Sequence, residues 1–177
     1  MTSRNPADLT VVSRPGIKVS GDGVMADIRR EYSKIPLVGV GALIVNDNKV
    51  ALVRRANEPS RGQWSIPGGL VNLGESLPNA VIREAFEETG LIVRPKFLVE
   101  LLDRIFHDES GAVRYHYVLA DYWCEVTGGN LSAGSDASAA AWVNLSELSD
   151  FNLADVTMDV ILKGFEMYCG HLGSPLK

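Results

Sequence analysis

The chain has 177 residues, enough for one domain of roughly 130–150 residues with terminal segments. It carries 17 basic and 22 acidic residues, and this net charge of −5 argues against nonspecific binding to nucleic acid or to an anionic membrane. With 46% hydrophobic and 22% charged residues, the composition is that of a globular protein rather than of a disordered one.

The cysteines and the hydropathy of the chain bear on the cellular compartment in which we expect the protein. Cys124 and Cys169 form no CxxC pair and have no histidine at zinc-site spacing, so we predict two free structural thiols. The apolar run Ile35–Val45 is interrupted by proline and glycine and is far shorter than the roughly 20 residues of a membrane-spanning helix. The first residues lack the basic and apolar regions of a secretory signal. We therefore expect a cytoplasmic protein without membrane contact.

The first elements in chain order are an arm and a hairpin. Residues 1–34 mix prolines and glycines with short apolar stretches, and we expect them to form an N-terminal arm before a domain at 35–170. Leu37–Val45 and Lys49–Arg55 are predicted strands joined by an Asn-Asp-Asn turn, because these residues tolerate left-handed backbone. A loop at 57–63 and a short extended segment at Trp64–Pro67 then lead into a Gly-Gly turn.

The clearest helix signal runs from Ser76 to Gly90. Ser76 is a good N-cap, Pro78 sits in the first turn where its missing N–H does no harm, and Gly90 is a typical stop. At helical spacing one stripe is predicted to face the core, formed by Ile82, Ala85, Phe86 and Thr89. The opposite side is predicted to carry three carboxylates, those of Glu84, Glu87 and Glu88.

Four further strands and one helix are predicted after this helix. The strands are Phe97–Ile105, Val113–Cys124, a short one near Leu131, and Ala140–Val143, with turns at 108–111 and 127–130. The helix is Ala154–Tyr168, followed by a tail at 171–177. Strands mixed with two helices indicate an α/β (α+β) sandwich.

The three carboxylates are candidate ligands of a metal ion. Like charges three and four residues apart destabilise a bare helix, whereas a bound cation turns that repulsion into coordination. Carboxylate oxygens are hard ligands that suit Mg²⁺ or Mn²⁺ rather than zinc. Arg83 lies four residues before Glu87 and can pair with it, and Glu75 lies near the positive end of the helix dipole. The alternative is a solvated acidic face.

The spacing of these residues resembles a known signature. The Nudix hydrolase box reads Gx5Ex7REUxEExGU, with U a bulky aliphatic residue, and all seven of its fixed letters occur here. They fall on Gly69, Glu75, Arg83, Glu84, Glu87, Glu88 and Gly90. The one departure is the small Ala85 at the first U position, which costs packing volume and no ligand.

The resemblance implies both a fold and a reaction. The fold is an α/β/α sandwich with a mixed sheet, in which the box forms a loop, a helix and a loop. The reaction is metal-dependent hydrolysis of a nucleoside diphosphate linked to another moiety, with ADP-ribose or a similar conjugate as the leading substrate. No proline stands about 15–16 residues past the box, near Phe106, which weakens the ADP-ribose assignment. A nucleoside triphosphate pyrophosphohydrolase and a non-catalytic nucleotide sensor are the alternatives.

The resemblance also implies roles for the box residues. Glu84, Glu87 and Glu88 would be ligands of Mg²⁺, or of Mn²⁺, joined by the carbonyl of Gly68. Glu87 also counts among the catalytic residues, with Arg83 as orienting residue, Glu75 as a brace for the loop and Asp136 as the leading general base. Asp136 qualifies because it stands six residues before Trp142, which enters the last strand. Asp108 and Glu109 are the second candidates for the base.

Substrate-binding residues are predicted outside the box. Arg54, Arg55 and Arg61 are candidates for phosphate contacts, with surface charge as the alternative. Tyr115 and Tyr117 alternate on one strand and are candidates for base stacking, with core packing as the alternative, while His116 turns away. The expected partner is a small nucleotide rather than nucleic acid, and a homodimer is left open.

Overall fold

A computed structural model describes residues 30–134 and 137–172 of the chain. Within these residues the strands are β1 (Leu37–Asn46), β2 (Lys49–Arg55), β3 (Trp64–Ser65), β4 (Gly68–Leu70), β5 (Leu91–His107), β6 (Val113–Gly129) and β7 (Ala137–Asn144). The helices are α1 (Leu77–Thr89) and α2 (Asp155–Leu172), with a short 3₁₀ helix at Leu145–Asp150.

All of these strands belong to one mixed sheet. The order is β3-β2-β1-β6-β5, and β4 pairs with β1 while β7 pairs with β2. β1 runs parallel to β6, whereas the pairs β1–β2, β1–β4 and β5–β6 are antiparallel. β1 therefore lies at the centre of the sheet. It pairs with β4 and with β6, two strands that carry residues of the candidate site.

The two helices cover opposite faces of the sheet. On one face Val81 and Ala85 of α1 belong to a buried cluster with Val40 and Ile44 of β1. On the other face α2 contributes Val160, Ile161 and Phe165 to a cluster with Leu43, Leu52 and Trp123. Because successive side chains of a strand point to opposite faces, β1 supplies both cores. The predicted α/β/α sandwich is confirmed.

The bounds of α1 follow from its capping residues, as predicted. Ser76 precedes the helix in extended conformation, and its side chain accepts a hydrogen bond from the Asn79 N–H at 3.4 Å. Gly90 ends the helix in left-handed conformation at φ 67°, and its N–H donates to the Phe86 carbonyl at 2.8 Å.

The predicted core face of α1 is confirmed for Ala85 and Thr89, which are fully buried, and wrong for the other two residues. Ile82 is 38% exposed and Phe86 is 57% exposed. The buried or half-buried side of the helix repeats at i, i+3, i+4 from Leu77 and consists of Leu77, Ala80, Val81, Glu84, Ala85, Glu88 and Thr89. Two carboxylates thus lie on the inner side of the helix, where the nearby backbone of β4 belongs to Gly68 and Gly69 and leaves room for them.

The later strands are longer than predicted. β5 and β6 each span 17 residues, and their antiparallel pairing contains four register shifts. The pairing therefore continues beyond the ends of the two shorter strands predicted from the sequence. Residues Thr127–Gly129 end β6 rather than forming a turn. In the described structure residues near Leu131 form no strand, which corrects that prediction. Cys124 and Cys169 are free thiols, as expected.

A short part of the predicted N-terminal arm is described, residues 30–34. The Tyr32 N–H donates to the Arg114 carbonyl at 2.7 Å, and its hydroxyl donates to Asp108 Oδ2 at 3.0 Å. The Tyr115 hydroxyl donates to Glu31 Oε1 at 2.6 Å. These contacts attach the segment to the end of the β5–β6 hairpin. Over the described ranges no helix combines the length and the apolar character needed to cross a membrane.

Candidate active site

Arg83 is the centre of a network of carboxylates on α1 and the loop before it. Its Nε and Nη2 donate to the two carboxylate oxygens of Glu75, at 2.9 and 2.8 Å. Its Nη1 donates to Glu84 Oε1 at 2.6 Å and to Glu87 Oε2 at 3.1 Å. Nη2 also reaches the Leu70 carbonyl at 3.0 Å, so one guanidinium connects the helix to the end of β4.

Glu75 closes the loop between β4 and α1. Besides its paired contact with Arg83, its Oε2 accepts a hydrogen bond from the Asn72 N–H at 3.1 Å. The hydrogen bonds from Arg83 and Asn72 lower the pKa of Glu75 to about 2. The carboxylate therefore stays ionised, and its hydrogen bonds tie the loop to the helix.

Glu88 is the buried member of the acidic set. It is 7% exposed, and its Oε2 accepts a hydrogen bond from the Gly68 N–H at 2.9 Å. Gly68 in turn pairs with Gly41 of β1. A helix side chain thus satisfies a backbone donor of β4, which orients the carboxylate toward that strand. The structure forms β4 at the place where the sequence predicted a Gly-Gly turn, and this corrects that prediction.

Glu84 lies directly above Gly69. A Cβ atom at Gly69 would stand 2.5 Å from both carboxylate oxygens of Glu84, so only glycine leaves the carboxylate this place. Burial raises the pKa of Glu84, and the hydrogen bond from Arg83 opposes that effect. The backbone is therefore shaped to seat a carboxylate at this point.

The donor set fits a hard divalent cation. Glu84, Glu87 and Glu88 offer carboxylate oxygens and Gly68 adds a carbonyl, which are the ligand types of Mg²⁺ and Mn²⁺. In the structure Arg83 holds two of these carboxylates and the Gly68 N–H holds the third. Within the described ranges no three acidic, histidine or cysteine side chains already converge as a metal cluster. The glycine cradle under Glu84 is the feature of this structure that favours the fit.

A pocket opens beside this network on the α2 face of the sheet. Its walls include Gly68, Gly69 and Leu70 of β4, so the pocket begins at the box loop. Its other side chains come from β2, β3, β5, β6 and the start of α2, and include Arg55, Trp64, Arg104, Phe106, Tyr117 and Asp121. The Arg104 guanidinium stands 5.2 Å from the centre of the Phe106 ring.

The predicted substrate residues divide between this pocket and other surfaces. Arg55 and Tyr117 line the pocket, and their contact with substrate stays a prediction. Arg54 points the other way, where its Nε donates to the Gly62 carbonyl at 3.1 Å, and Arg61 is exposed outside the pocket. Tyr115 is buried and stacks on Tyr117 at 6.0 Å, but its hydroxyl is engaged by Glu31, so it lies behind the wall rather than on it.

The described candidates for the general base, Asp108 and Glu109, lie away from the pocket. Asp136 lies outside the described residues. Asp108 accepts hydrogen bonds from both Ser110 groups, from the Ala112 N–H and from Tyr32, and these contacts lower its pKa to about 2. Asp108 thus stabilises the β5–β6 turn, and Glu109 is exposed beside it. Neither residue lines the pocket.

Two residues of the pocket were missed by sequence reasoning, Arg104 and Asp121. Leu102, Arg104 and Phe106 alternate with the exposed Leu101, Asp103 and Ile105, and this period of two was the signal that they share a wall. Asp121 gave no comparable signal, because it sits in an apolar and aromatic run of β6. Its position became meaningful only with the pairing of β6 to β1.

Comparison with known proteins agrees with this geometry. The NUDIX domain family matches residues 36–163 of the chain. An ADP-ribose pyrophosphatase of Methanocaldococcus jannaschii is 39% identical over 113 residues, which cover 64% of this chain and 64% of that protein. The chain thus spans less than two thirds of the length of this relative.

Solved structures agree as well. The crystal structure of a UDP-X diphosphatase matches with a TM-score of 0.62 and 26% identity, covering 77% of this chain and 64% of that one. A MutT NUDIX hydrolase from Burkholderia pseudomallei matches with a TM-score of 0.59 and 29% identity, covering 73% and 98% of the two chains. With the family match over residues 36–163 and the box residues around Arg83, the chain belongs to the Nudix family.

Proposed function

We propose that this protein is a divalent-metal-dependent hydrolase of nucleoside diphosphate conjugates, with ADP-ribose or a similar conjugate as substrate. The observation that carries the proposal is the junction of two features at Gly68–Leu70. On one side stand the carboxylates held by Arg83 and by the Gly68 N–H, and on the other opens the pocket with aromatic and arginine walls.

The roles of the chain's own groups follow from their contacts. Arg83 fixes the carboxylates of Glu84 and Glu87 through one nitrogen, and Glu75 holds Arg83 in place through two hydrogen bonds. The cation, when bound, would screen the diphosphate charge and lower the pKa of the attacking water. Arg55 lies on the pocket wall, where its guanidinium group would be available to phosphate oxygens of the substrate.

The general base in this proposal is Asp136, with Asp108 and Glu109 as alternatives. Asp108 is the weaker alternative, because its carboxylate already accepts four hydrogen bonds at the β5–β6 turn. Asp136→Asn should lower kcat by about 100-fold or more if it supplies the base. A loss below tenfold in that variant would move the role to another residue.

The names of similar proteins support the substrate class. The M. jannaschii relative is named an ADP-ribose pyrophosphatase, and the similar crystal structure is that of a UDP-X diphosphatase. Both names describe a diphosphate that joins a nucleoside to another group. We therefore propose nucleoside diphosphate conjugates, rather than nucleoside triphosphates, as the substrates.

The test is hydrolysis of a substrate panel with Mg²⁺ or Mn²⁺ and a coupled phosphatase. The panel holds ADP-ribose, sugar nucleotides, dinucleoside polyphosphates, and normal and oxidised nucleoside triphosphates. Glu87→Gln and Glu88→Gln are the matched blanks, since Gln preserves shape and, at position 88, an oxygen for the Gly68 N–H. Glu166→Gln, on an exposed position of α2, controls for loss of one surface charge.

The outcomes separate the candidates. Cleavage of a diphosphate conjugate by the parent and by Glu166→Gln, with a loss of about 100-fold or more in Glu87→Gln, supports the proposal. If the parent prefers a nucleoside triphosphate, triphosphates would replace diphosphate conjugates as the proposed substrate class. Nucleotide binding without cleavage of any panel member would favour a sensor.

A further inference from the structure

Asp121 is a buried carboxyl for which the described residues supply no hydrogen-bond donor. It is 5% exposed, and none of the described residues donates a hydrogen bond to it. It pairs in parallel register with Gly41, and a Cβ at Gly41 would stand 2.2 Å from its Oδ1. The glycine thus makes room for the carboxyl, and the carboxyl forms part of the pocket wall.

Keeping this group buried is unfavourable for the folded chain. Burial raises the pKa of Asp121 to about 7, against the attraction of the Arg104 guanidinium, while Glu100 adds to the rise. Arg104 itself forms no ion pair with any of the described residues. Among the described residues no fully enclosed side-chain oxygen or nitrogen lacks a hydrogen-bond partner, so the Asp121 oxygens open onto the pocket. A mostly buried carboxyl is costly to keep at such a place, and a ligand in the pocket can supply its hydrogen bond.

The rest of the pocket wall indicates which part of a ligand lies against Asp121. Beside it stand Leu102, Phe106, Tyr117, Leu119 and Trp64, which offer flat aromatic and aliphatic surface. Such walls suit a planar ring that stacks, rather than a sugar with hydroxyls on every side. The Asp121 carboxyl is then placed to form a hydrogen bond with a polar group at the edge of that ring.

The distance to the box loop fits the same arrangement. Asp121 pairs with Gly41, and Gly41 pairs with Gly68, whose N–H holds Glu88. Two strand spacings, about 10 Å, therefore separate the backbone of Asp121 from that of Gly68 in β4, whose N–H contacts Glu88. A nucleotide can bridge this distance, with its base at Asp121 and its phosphates at the box residues.

We propose that the Asp121 carboxyl accepts a hydrogen bond from the exocyclic amino group of the substrate's nucleobase and so sets base specificity. The inference rests on the proposed function, because it assumes that the pocket takes a nucleotide. It adds to that function a selection rule: amino-bearing bases bind better than their counterparts without the amino group.

The test is calorimetric binding of nucleoside monophosphates that differ by the amino group. The pairs are AMP with purine riboside 5′-monophosphate, GMP with IMP, and CMP with UMP, and each is measured on four proteins. These are the parent, Asp121→Val, Asp121→Asn and Asp103→Asn. Val removes both oxygens and suits a strand, Asn keeps one acceptor, and Asp103 is an exposed carboxylate of β5 that faces away from the pocket.

We expect the parent to bind at least one amino-bearing nucleotide about tenfold or more tightly than its counterpart. Asp121→Val should abolish that ratio, Asp121→Asn should retain part of it, and Asp103→Asn should leave it unchanged. Thermal unfolding supplies a second readout. A carboxyl kept for a ligand should give variants at least as stable as the parent, whereas a structural carboxyl should give a lower Tm.

Two outcomes would overturn the inference. One is equal ratios in the parent and Asp121→Val, and the other is no binding of any of these nucleotides to the parent. Hydrolysis of the substrate panel is measured in parallel on the same proteins. A ratio that depends on Asp121 without any hydrolysis would refute the proposed function and keep this inference, so the two failures are distinguishable.

Discussion

Arg83 holds Glu75 through two separate nitrogens, with Nε 2.9 Å from one carboxylate oxygen and Nη2 2.8 Å from the other. This paired contact leaves Nη1 for Glu84 and Glu87. The fork of the guanidinium is what allows one side chain to serve both the loop and the helix.

Arg83→Lys should therefore lower activity without unfolding the chain. A lysine ammonium keeps the charge but cannot hold Glu75 with two nitrogens and reach Glu84 as well. We expect kcat on the best panel substrate to fall by about 10- to 100-fold, from the loss of one or two charge-assisted hydrogen bonds. Steady-state kinetics and circular dichroism check this. Arg94→Lys, on an exposed position of β5, should match the parent, and equal activity in both variants would contradict the role of Arg83.

Gly69→Ala should disturb the seat of Glu84. The new Cβ would stand 2.5 Å from the Glu84 carboxylate, so that side chain must move. We expect kcat to fall by about tenfold or more and the affinity for Mg²⁺ to weaken, since outer supports of ligands commonly cost that much. Gly128→Ala is the matched control, because its nearest neighbour would be a side-chain atom of Ile92 at 3.5 Å. Similar Mn²⁺ titration curves for the two variants would argue against the cradle.

The buried side of α1 makes opposite predictions for two adjacent residues. Val81 is fully buried, whereas Ile82 is 38% exposed. Val81→Asp should reduce the free energy of unfolding by about 4 kcal/mol or more, because it buries an unpaired charge. Ile82→Asp should change it by less than about 1 kcal/mol. Urea unfolding measures both, and the sequence-based stripe would have predicted severe loss at Ile82.

This pair illustrates what the sequence could and could not predict. The ends of α1 were predictable, because Ser76 and Gly90 act locally through capping. The inner face was not, because the glycines that make room for Glu84 and Glu88 lie on β4, and their effect appears only when helix and sheet are packed. The spacing of the box residues indicated the Arg83 network, whereas Asp121 required knowledge of the strand neighbours.

Asp121 also makes stability depend on pH. Its pKa is raised in the folded state to about 7 from an ordinary 3.8, so between these values the folded chain holds a proton that the unfolded chain has released. The contribution of Asp121 to stability therefore falls as pH rises from about 4 to 7, by up to about 4 kcal/mol. Arg104 and Glu100 are the charged neighbours that tune this range.

Asp121→Asn removes this titration. Relative to the parent, the variant should gain stability steadily between pH 4 and 7 in metal-free buffer, and the difference should level off above that range. Urea midpoints at several pH values measure it. A difference between the two proteins that stays constant with pH would contradict the raised pKa of Asp121.

The division of labour between strands has a consequence for how this protein can change over evolutionary time. The box residues reside on β4, α1 and the loop between them, whereas Leu102, Arg104, Phe106, Tyr117 and Asp121 reside on β5 and β6. Substitutions on the second pair of strands leave the Arg83 contacts in place. If the proposed function holds, a lineage could therefore acquire a different substrate by altering one hairpin, while it inherits the box residues unaltered.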